Sequence, residues 1–407
     1  MNGSLTRNNF LAFRRMFYFA LPSESSYEFV ESIPNFVTEA IPFFLLMIAI
    51  EFTIISGKRK KYTGIDWSDS ISSISAGIIY QIPPLFSKSI EIMTYIWVHN
   101  NYRILSLNPH SPFVWCIGLF GVDFGYYWVH RASHEVTLFW SGHQVHHSSQ
   151  RYNLSTALRQ GFFQRYFSWM FYLPLALILP STVFIVHLQF SLLYQFWIHT
   201  EVIGKLGILE LILNTPSHHR VHHGRNKYCI DKNYGGTLII FDRIFGTFQA
   251  EEDEVVYGHV HLMKTWNPIK IQTLHLEYIF QQIISYTKLS EKFKSVFFGP
   301  GWVPGSHRLG SPDDIPDPEK PTYFWHKDIS PFIFFYCLIN FVIAIITFWA
   351  LSVYNSQIEF NELRIGAIFL LFTLIQIGRL LDGNSVLWSE GLRIAISFVL
   401  IIKHLPI

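Results

Sequence analysis

The chain has 407 residues, three cysteines and a formal net charge of +2, and charged residues make up 15% of it, against roughly 25% in a typical soluble protein. Together with the 17% of aromatic residues, this balance argues against a disordered chain, a disulfide scaffold and a nucleic-acid-binding protein. We therefore expect an all-α fold, that of a polytopic helical membrane protein.

A membrane-crossing helix needs about 20 mostly apolar residues, and the chain contains about eight candidate stretches. In chain order they cover Thr38–Ser56, Ile71–His99, Pro112–Val129, Phe163–Leu179, Thr182–Ile198, Pro331–Val353, Ile365–Leu381 and Val386–Ile402. Pro83 and Pro84 interrupt the second stretch, which predicts a kinked or partly re-entrant helix. The shorter apolar stretch Leu274–Tyr286 is more typical of a helix at the membrane interface.

These stretches divide the chain into an N-terminal segment (residues 1–37), a catalytic membrane domain (38–270), a polar connector (271–330) and C-terminal transmembrane helices (331–407). The basic run of residues 58–61 directly follows the first stretch, and positive charges at the end of a span are typical of the cytoplasmic side. If each following span crosses the membrane once, the chain returns to the cytoplasmic side at His130 and again at His199.

Histidines are concentrated directly after these returns. The first cluster has the spacing HxxxH followed by HxxHH, and a later cluster repeats HxxHH. Residues three and four apart on a helix share one face, with Cβ atoms about 5–6 Å apart, so each spacing can direct several imidazoles at one ion. Nine imidazoles are more than one ion can bind, which predicts two metals. The predicted ligands are His130, His134, His143, His146, His147, His199, His219, His222 and His223. His218 lies outside the HxxHH spacing of its cluster, so we expect it to lie beside the metal ligands and not to bind the metal.

Imidazole ligands suit zinc, copper, iron and nickel, and the spacing alone does not choose among them. Each cluster follows a predicted span, which indicates a site at a membrane face, whereas a transporter more often holds its ion near the bilayer midplane. A metal transporter or metal-storing membrane protein is the alternative from a different class. It requires ionisable residues in the middle of several spans, and here only Glu51 stands out, near a span end.

The histidine pattern, interleaved with membrane spans, resembles the fatty acid hydroxylase and sterol desaturase superfamily of membrane di-iron oxygenases. Residues 233–235 (NYG) and 241–247 (FDRIFGT) resemble the closing motif of that superfamily. Residues 121–128, 152–160, 193–202 and 214–226 are similar to its ether-lipid-cleaving branch.

That resemblance implies two iron ions, O₂ and tetrahydrobiopterin, in a multi-pass endoplasmic reticulum protein whose site faces the cytoplasm. It implies hydroxylation of alkylglycerols and lyso-ether lipids at the carbon next to the ether oxygen, which yields a fatty aldehyde and a glycerol derivative. The histidine pattern also suits a sterol or fatty-acyl hydroxylase or desaturase that uses cytochrome b5, and this stays the alternative function. The residues that bind the pterin are not readable from the sequence.

Glu135 and Asp123 are the candidate catalytic residues. Asp123 and Tyr127 lie seven and three residues before His130, so either is placed to hydrogen-bond a ligand imidazole. The resemblance implies that Glu135 is functionally required, beside the ligands or near the pterin. Further candidates beside the second cluster are Glu201, Asp231, Asn233 and Asp242. Candidates for lipid-headgroup contacts, or else flank charges, are Arg151, Arg159, Arg220, Arg225 and Lys227.

Overall fold

A computed structural model describes residues 10–58, 63–86, 90–318, 322–384 and 387–404. Within these ranges the chain is helical and has no strand, only two isolated β-bridges, which confirms the all-α prediction there. The longer helices are α1 (Phe36–Gly57), α2 (Trp67–Gln81), α3 (Ile90–Tyr102), α4 (Pro112–Glu135), α5 (Thr137–His147), α6 (Ser181–Trp197), α7 (Pro216–His223), α8 (Pro268–Ser285), α9 (Leu289–Phe297), α10 (Pro331–Val353), α11 (Phe360–Leu381) and α12 (Leu387–His404).

In the part of the chain that the structure describes, three stretches are long and apolar enough to cross a membrane: Val30–Gly57, Pro331–Val353 and Phe360–Leu381. They contain the first, sixth and seventh predicted spans, and they fit a membrane protein. The predicted total of about eight spans is not confirmed in the described residues. Helix α6 has 17 residues, which is at the lower limit for a crossing. Residues 59–61 of the basic run lie outside the described residues.

Two of the remaining stretches are interrupted. The second is divided as its prolines indicate, because α2 ends at Gln81, a single turn covers Pro83–Leu85 and α3 begins at Ile90. The prediction of one continuous helix over residues 163–179 is wrong, because four short helical turns occupy residues 162–177. Pro174 lies in the last of these turns, where it lacks an N–H and its ring clashes with the preceding turn of a regular helix.

Helices α4 and α5 form the hairpin that carries the first histidine cluster. Pro112 occupies the first turn of α4, where its missing N–H costs no helical hydrogen bond. Helix α4 ends at Glu135 because Val136 has an extended backbone, and α5 then packs back against α4. Helix α4 also packs against α6, and α5 packs against α8 and α9.

A buried ion pair ties α2 to this hairpin. The Arg159 guanidinium lies 3.1 Å from Asp69 Oδ1, and it donates a hydrogen bond to Ser148 Oγ, just after α5, at 2.8 Å. Asp69 also accepts a hydrogen bond from the Ser149 hydroxyl. The prediction that Arg159 contacts lipid headgroups or is a flank charge is wrong, because its side chain is only 1% exposed.

Removal of one partner tests this pair. Asp69→Ala leaves the guanidinium buried and unpaired, so we expect the free energy of unfolding to fall by about 3–5 kcal/mol. Glu24→Ala is the matched control, because its pair with Arg14 is 29% exposed on both sides and should contribute about 1 kcal/mol or less. Thermal unfolding of the full chain in detergent micelles measures both. Equal losses in the two variants would contradict the assignment.

Candidate metal centre

Four elements bring nine buried histidines together in the protein interior. Helices α4, α5 and α7 each carry two or three of them, and one follows the end of α6. They form two groups, in each of which the potential ligand atoms all lie within 4.8 Å of one another. The five-histidine group is His130, His134, His143, His147 and His222, and the four-histidine group is His146, His199, His219 and His223.

The Nε2 atoms of the five-histidine group point toward a common centre. His143 Nε2 lies 2.9 Å from His130 Nε2 and 3.1 Å from His147 Nε2. The Nε2 atoms of His134 and His222 are buried and have no hydrogen-bond partner in the described part of the chain. An unpaired buried polar atom is costly, so this convergence calls for a ligand.

The four-histidine group has the same design. His199 Nε2 lies 3.1 Å from His146 Nε2 and 3.0 Å from His219 Nε2. The buried His223 Nε2 lacks a hydrogen-bond partner among the described residues. The His223 ring stacks on that of His147 with a centroid distance of 4.4 Å, so the two groups adjoin.

The outer nitrogens fix the tautomer of the rings. The Nδ1 atoms of four rings lie within 3 Å of a backbone carbonyl oxygen: His130 with Tyr234, His222 with Lys232, His146 with Arg159, and His199 with Gln195. Because a carbonyl only accepts, each Nδ1 must carry the proton, which leaves the inward Nε2 with its lone pair. This is the ordinary arrangement of a metal-bound histidine.

The interior also keeps these rings neutral. Burial lowers the pKa of His146 to about 4. Burial, followed by the nearby histidines, holds the pKa of His143, His147 and His222 well below its usual range. Neutral imidazole is the form that binds a metal.

The site therefore fits metal ions, and each group could hold one. Within the described residues neither group includes a cysteine or a carboxylate. A nitrogen-only ligand set suits iron, copper or zinc rather than magnesium or calcium.

Two buried carboxylates hold the segment of residues 231–238, which lies against the five-histidine group. Asp242 accepts hydrogen bonds from the backbone N–H groups of residues 234 and 235, both at 2.7 Å. Asp123 accepts from those of residues 237 and 238 at 2.7 and 2.8 Å. The same segment supplies the carbonyl oxygens that accept from His130 and His222. Both carboxylates thus act on ligands through the backbone.

The prediction that Asp123 or Tyr127 hydrogen-bonds a ligand imidazole is wrong. The Nδ1 atom of His130 is already bonded to the Tyr234 carbonyl, and the Asp123 carboxylate is occupied by backbone N–H groups. The Tyr127 hydroxyl instead lies 3.0 Å from that of Thr247.

Glu135 lies at the end of α4, outside both groups. Its carboxylate accepts hydrogen bonds from Arg131 Nε at 2.8 Å and from Arg308 Nη1 at 3.2 Å. Asp231 comes closer to a ligand, because its Oδ1 lies 3.6 Å from His134 Nδ1.

The other predicted neighbours lie around the groups. Asn233 donates to the carbonyl oxygen of His218, and Glu201 accepts from the N–H and hydroxyl of Thr63. His218 is in neither group, as expected, and its Nε2 lies 4.0 Å from a Glu210 oxygen.

Two of the predicted headgroup contacts have partners inside the protein. The Arg220 side chain is 9% exposed and pairs with Glu251 at 2.6 Å, so it is not placed for a lipid headgroup. The Arg151 guanidinium lies 3.7 Å from the centre of the Phe324 ring. Lys227, in contrast, is exposed.

Sequence reasoning missed the groups that orient the ligands. They include the carbonyl oxygens of Lys232, Arg159 and Gln195 and the Gln164 side chain, whose Oε1 lies 3.1 Å from His143 Nδ1. Backbone carbonyls carry no residue-type signal, so the sequence could not reveal them. For Tyr234 the NYG motif was the available signal.

The comparisons with known proteins follow the same residues. The family model for "Fatty acid hydroxylase" matches residues 115–247, a range that holds all nine histidines. The chain is 48% identical over 370 residues to "Alkylglycerol monooxygenase" of Homo sapiens, covering 91% of this chain and 83% of that protein. The proteins of the same name from Xenopus tropicalis and Danio rerio are each 44% identical, covering 91% and 92% of this chain and 82% and 83% of theirs.

No solved structure matches the chain. The match to the human protein covers the whole histidine region and extends beyond it. This extent confirms the resemblance drawn from the motifs. The chain therefore belongs to the alkylglycerol monooxygenase family.

Proposed function

We propose that this chain is an iron-dependent monooxygenase that cleaves the O-alkyl ether bond of alkylglycerols and lyso-ether lipids. The observation that carries the proposal is the pair of buried all-histidine groups with inward lone pairs, in a chain nearly half identical to a named alkylglycerol monooxygenase. Tetrahydrobiopterin is the proposed source of electrons, on the strength of the family resemblance. No residue is assigned to pterin binding.

The proposal places the protein in the endoplasmic reticulum membrane with its histidine groups facing the cytoplasm. The three candidate spans support a membrane location, and Lys58 at the end of α1 carries a positive charge of the kind found on the cytoplasmic side. The division into a catalytic domain (38–270), a connector (271–330) and C-terminal helices (331–407) belongs to the same proposal.

The chemistry explains why an oxygenase is needed. An alkyl ether has no carbonyl group to polarise, so hydrolysis is difficult. Insertion of one oxygen atom of O₂ into the C–H bond next to the ether oxygen gives a hemiacetal. The hemiacetal collapses when its C–O bond to glycerol breaks and the hydroxyl proton passes to the departing oxygen. The products are a fatty aldehyde and a glycerol derivative, while the second oxygen atom leaves as water with two electrons from the reduced pterin.

Iron ions bound by the two groups would supply the O₂ activation, a redox chemistry that zinc lacks. The residues of the chain hold the ligand rings and keep bulk water away from them, since all nine rings are buried. Asp123 and Asp242 position the backbone that orients His130 and His222. Glu135 joins α4 to Arg308, beyond α9, so we assign it a positioning role beside the site.

Loss of a single ligand tests the metal assignment. His130→Ala and His219→Ala each remove one imidazole from a different group, so we expect bound iron to fall from about two per chain toward one. Turnover should fall by more than about 100-fold, since loss of a residue that merely orients a ligand already costs about 10–100-fold. Elemental analysis and turnover of the purified protein measure both.

The control for these variants is His110→Ala, which alters an exposed histidine paired with Glu28 at 3.2 Å. It should retain both iron and activity. Wild-type iron content and turnover in both ligand variants would overturn the assignment.

The proposed reaction has a direct assay. Membranes that contain the protein, incubated with a 1-O-alkylglycerol, O₂ and tetrahydrobiopterin, should release fatty aldehyde, and omission of the pterin should abolish it. Aldehyde release that requires cytochrome b5 instead would refute the pterin assignment. An iron-loaded preparation that releases no aldehyde under either condition would favour a sterol or fatty-acyl hydroxylase.

A further inference from the structure

The hairpin of α8 and α9 has an apolar outer surface. Five large side chains, which we call the hairpin patch, are exposed: Phe280 and Ile284 on α8, each 64% exposed, and Leu289, Phe293 and Phe297 on α9, which are 81%, 59% and 43% exposed. On each helix they recur at a spacing of four, so they share one face.

The polarity of α9 is reversed relative to a helix on a soluble protein, which turns its apolar face inward, whereas α8 is mixed because it buries Ile271 and Ile279 as well as Gln272. On α9, Ser295 is 7% exposed while Phe293 points outward. On α8, Gln272 is buried and bonds inward, accepting from the N–H of Phe162 at 2.8 Å and donating to the carbonyl of Gln160 at 2.9 Å. An exposed apolar face of this size calls for an apolar environment outside the protein.

The charges beside the patch indicate what that environment is. Residues 288–297 contain Lys288, Lys292 and Lys294 and only one acidic residue, Glu291. An apolar face flanked by lysines is typical of a helix that lies in the boundary between lipid headgroups and acyl chains. A chain with three candidate spans already has a bilayer beside it.

The hairpin is joined to the metal centre. Helices α8 and α9 both pack on α5, which carries three of the nine histidines. The N–H and hydroxyl of Thr137, at the start of α5, both lie 2.8 Å from the carbonyl oxygen of Phe298. Arg308 joins the following loop to Glu135. An anchor on the hairpin therefore also fixes the position of α5 relative to the bilayer.

We propose that the hairpin patch docks into the lipid boundary of the bilayer and sets the depth of the histidine groups relative to the lipid headgroups. This inference rests on the proposed function. The docking lets the site receive an ether lipid directly from the leaflet, so the lipid does not cross bulk water. The occupant of the patch is the lipid bilayer itself.

A fluorescent probe on the full chain tests the docking without reference to catalysis. In a Cys116→Ser background, which removes the exposed native thiol, Phe293→Cys carries a polarity-sensitive dye, and Asp253→Cys on an exposed polar loop is the matched control. The protein is placed in nanodiscs of phosphatidylcholine and phosphatidylserine. We expect a blue-shifted emission at position 293 that spin-labelled lipid quenches, with neither effect at 253.

Two results would overturn the proposal. One is emission at position 293 that is as red-shifted as at 253 and equally unquenched. The other is a blue shift that grows with protein density and resists quenching by the labelled lipid, because a second copy of the chain would then cover the patch.

Activity provides a second readout. Leu289→Asp combined with Phe293→Asp should raise the apparent KM for a long-chain alkylglycerol in vesicles about tenfold, the equivalent of about 1.4 kcal/mol of lost docking. Turnover of a short-chain alkylglycerol dispersed in detergent should stay unchanged, which shows that the variant folds. An unchanged KM in vesicles contradicts the docking. Loss of activity on both substrates in this double variant, together with no lipid contact of the dye in the separate Phe293→Cys protein, assigns the hairpin a folding role instead.

Discussion

Each imidazole has two nitrogens, and a buried ring must satisfy both of them. In this chain four of the nine buried rings do so by one rule: a backbone carbonyl outside the ring accepts the Nδ1 proton, and the Nε2 atom faces the other imidazoles of its group. Helices supply eight of the nine rings, segments between helices supply three of the four carbonyls, and Gln195 of α6 supplies the fourth. The metal centre is thus a joint product of regular and irregular structure.

The buried carboxylates follow from the same constraint. Asp123 and Asp242 bind four backbone N–H groups of the segment that lies against the five-histidine group. Two residues of that segment, Asp231 and Asn233, have positive φ angles of 56° and 57°, a backbone conformation that non-glycine residues seldom adopt. A strained segment needs firm attachment, and the two carboxylates provide it. Acidic residues here build the frame for the ligands, whereas all the predicted ligands are histidines.

The spacing of the histidines was sufficient to predict that the nine lie together but not how they divide, because His143 and His146, and likewise His219 and His222, are three apart on one helix and yet belong to different groups. Adjacent residues of a helix point about 100° apart, which predicts that one of His146 and His147 can serve a second metal. Which of the two joins the five-histidine group depends on how α5 packs. Asp123 was singled out as a candidate partner of a ligand imidazole, but its actual partners lie more than 110 residues away and leave no local signal. Arg159 was misjudged for the same reason, because its partner Asp69 is distant in the chain. Apolar composition over residues 163–179 concealed the effect of Pro174 on the helix.

The origin of the aldehyde oxygen tests the central claim most directly, namely that these histidines serve an oxygenase and not a hydrolase or a metal carrier. The purified, iron-loaded protein is given an alkylglycerol and reduced pterin under ¹⁸O₂, and the aldehyde is reduced at once to the alcohol so that its oxygen cannot exchange with water. Because hydroxylation places the new oxygen on the alkyl carbon and the ether oxygen leaves with glycerol, the account predicts one ¹⁸O atom in the fatty alcohol. Two results together would contradict it: an alcohol without ¹⁸O when the reaction runs under ¹⁸O₂, and an alcohol with one ¹⁸O atom when it runs under ¹⁶O₂ in H₂¹⁸O.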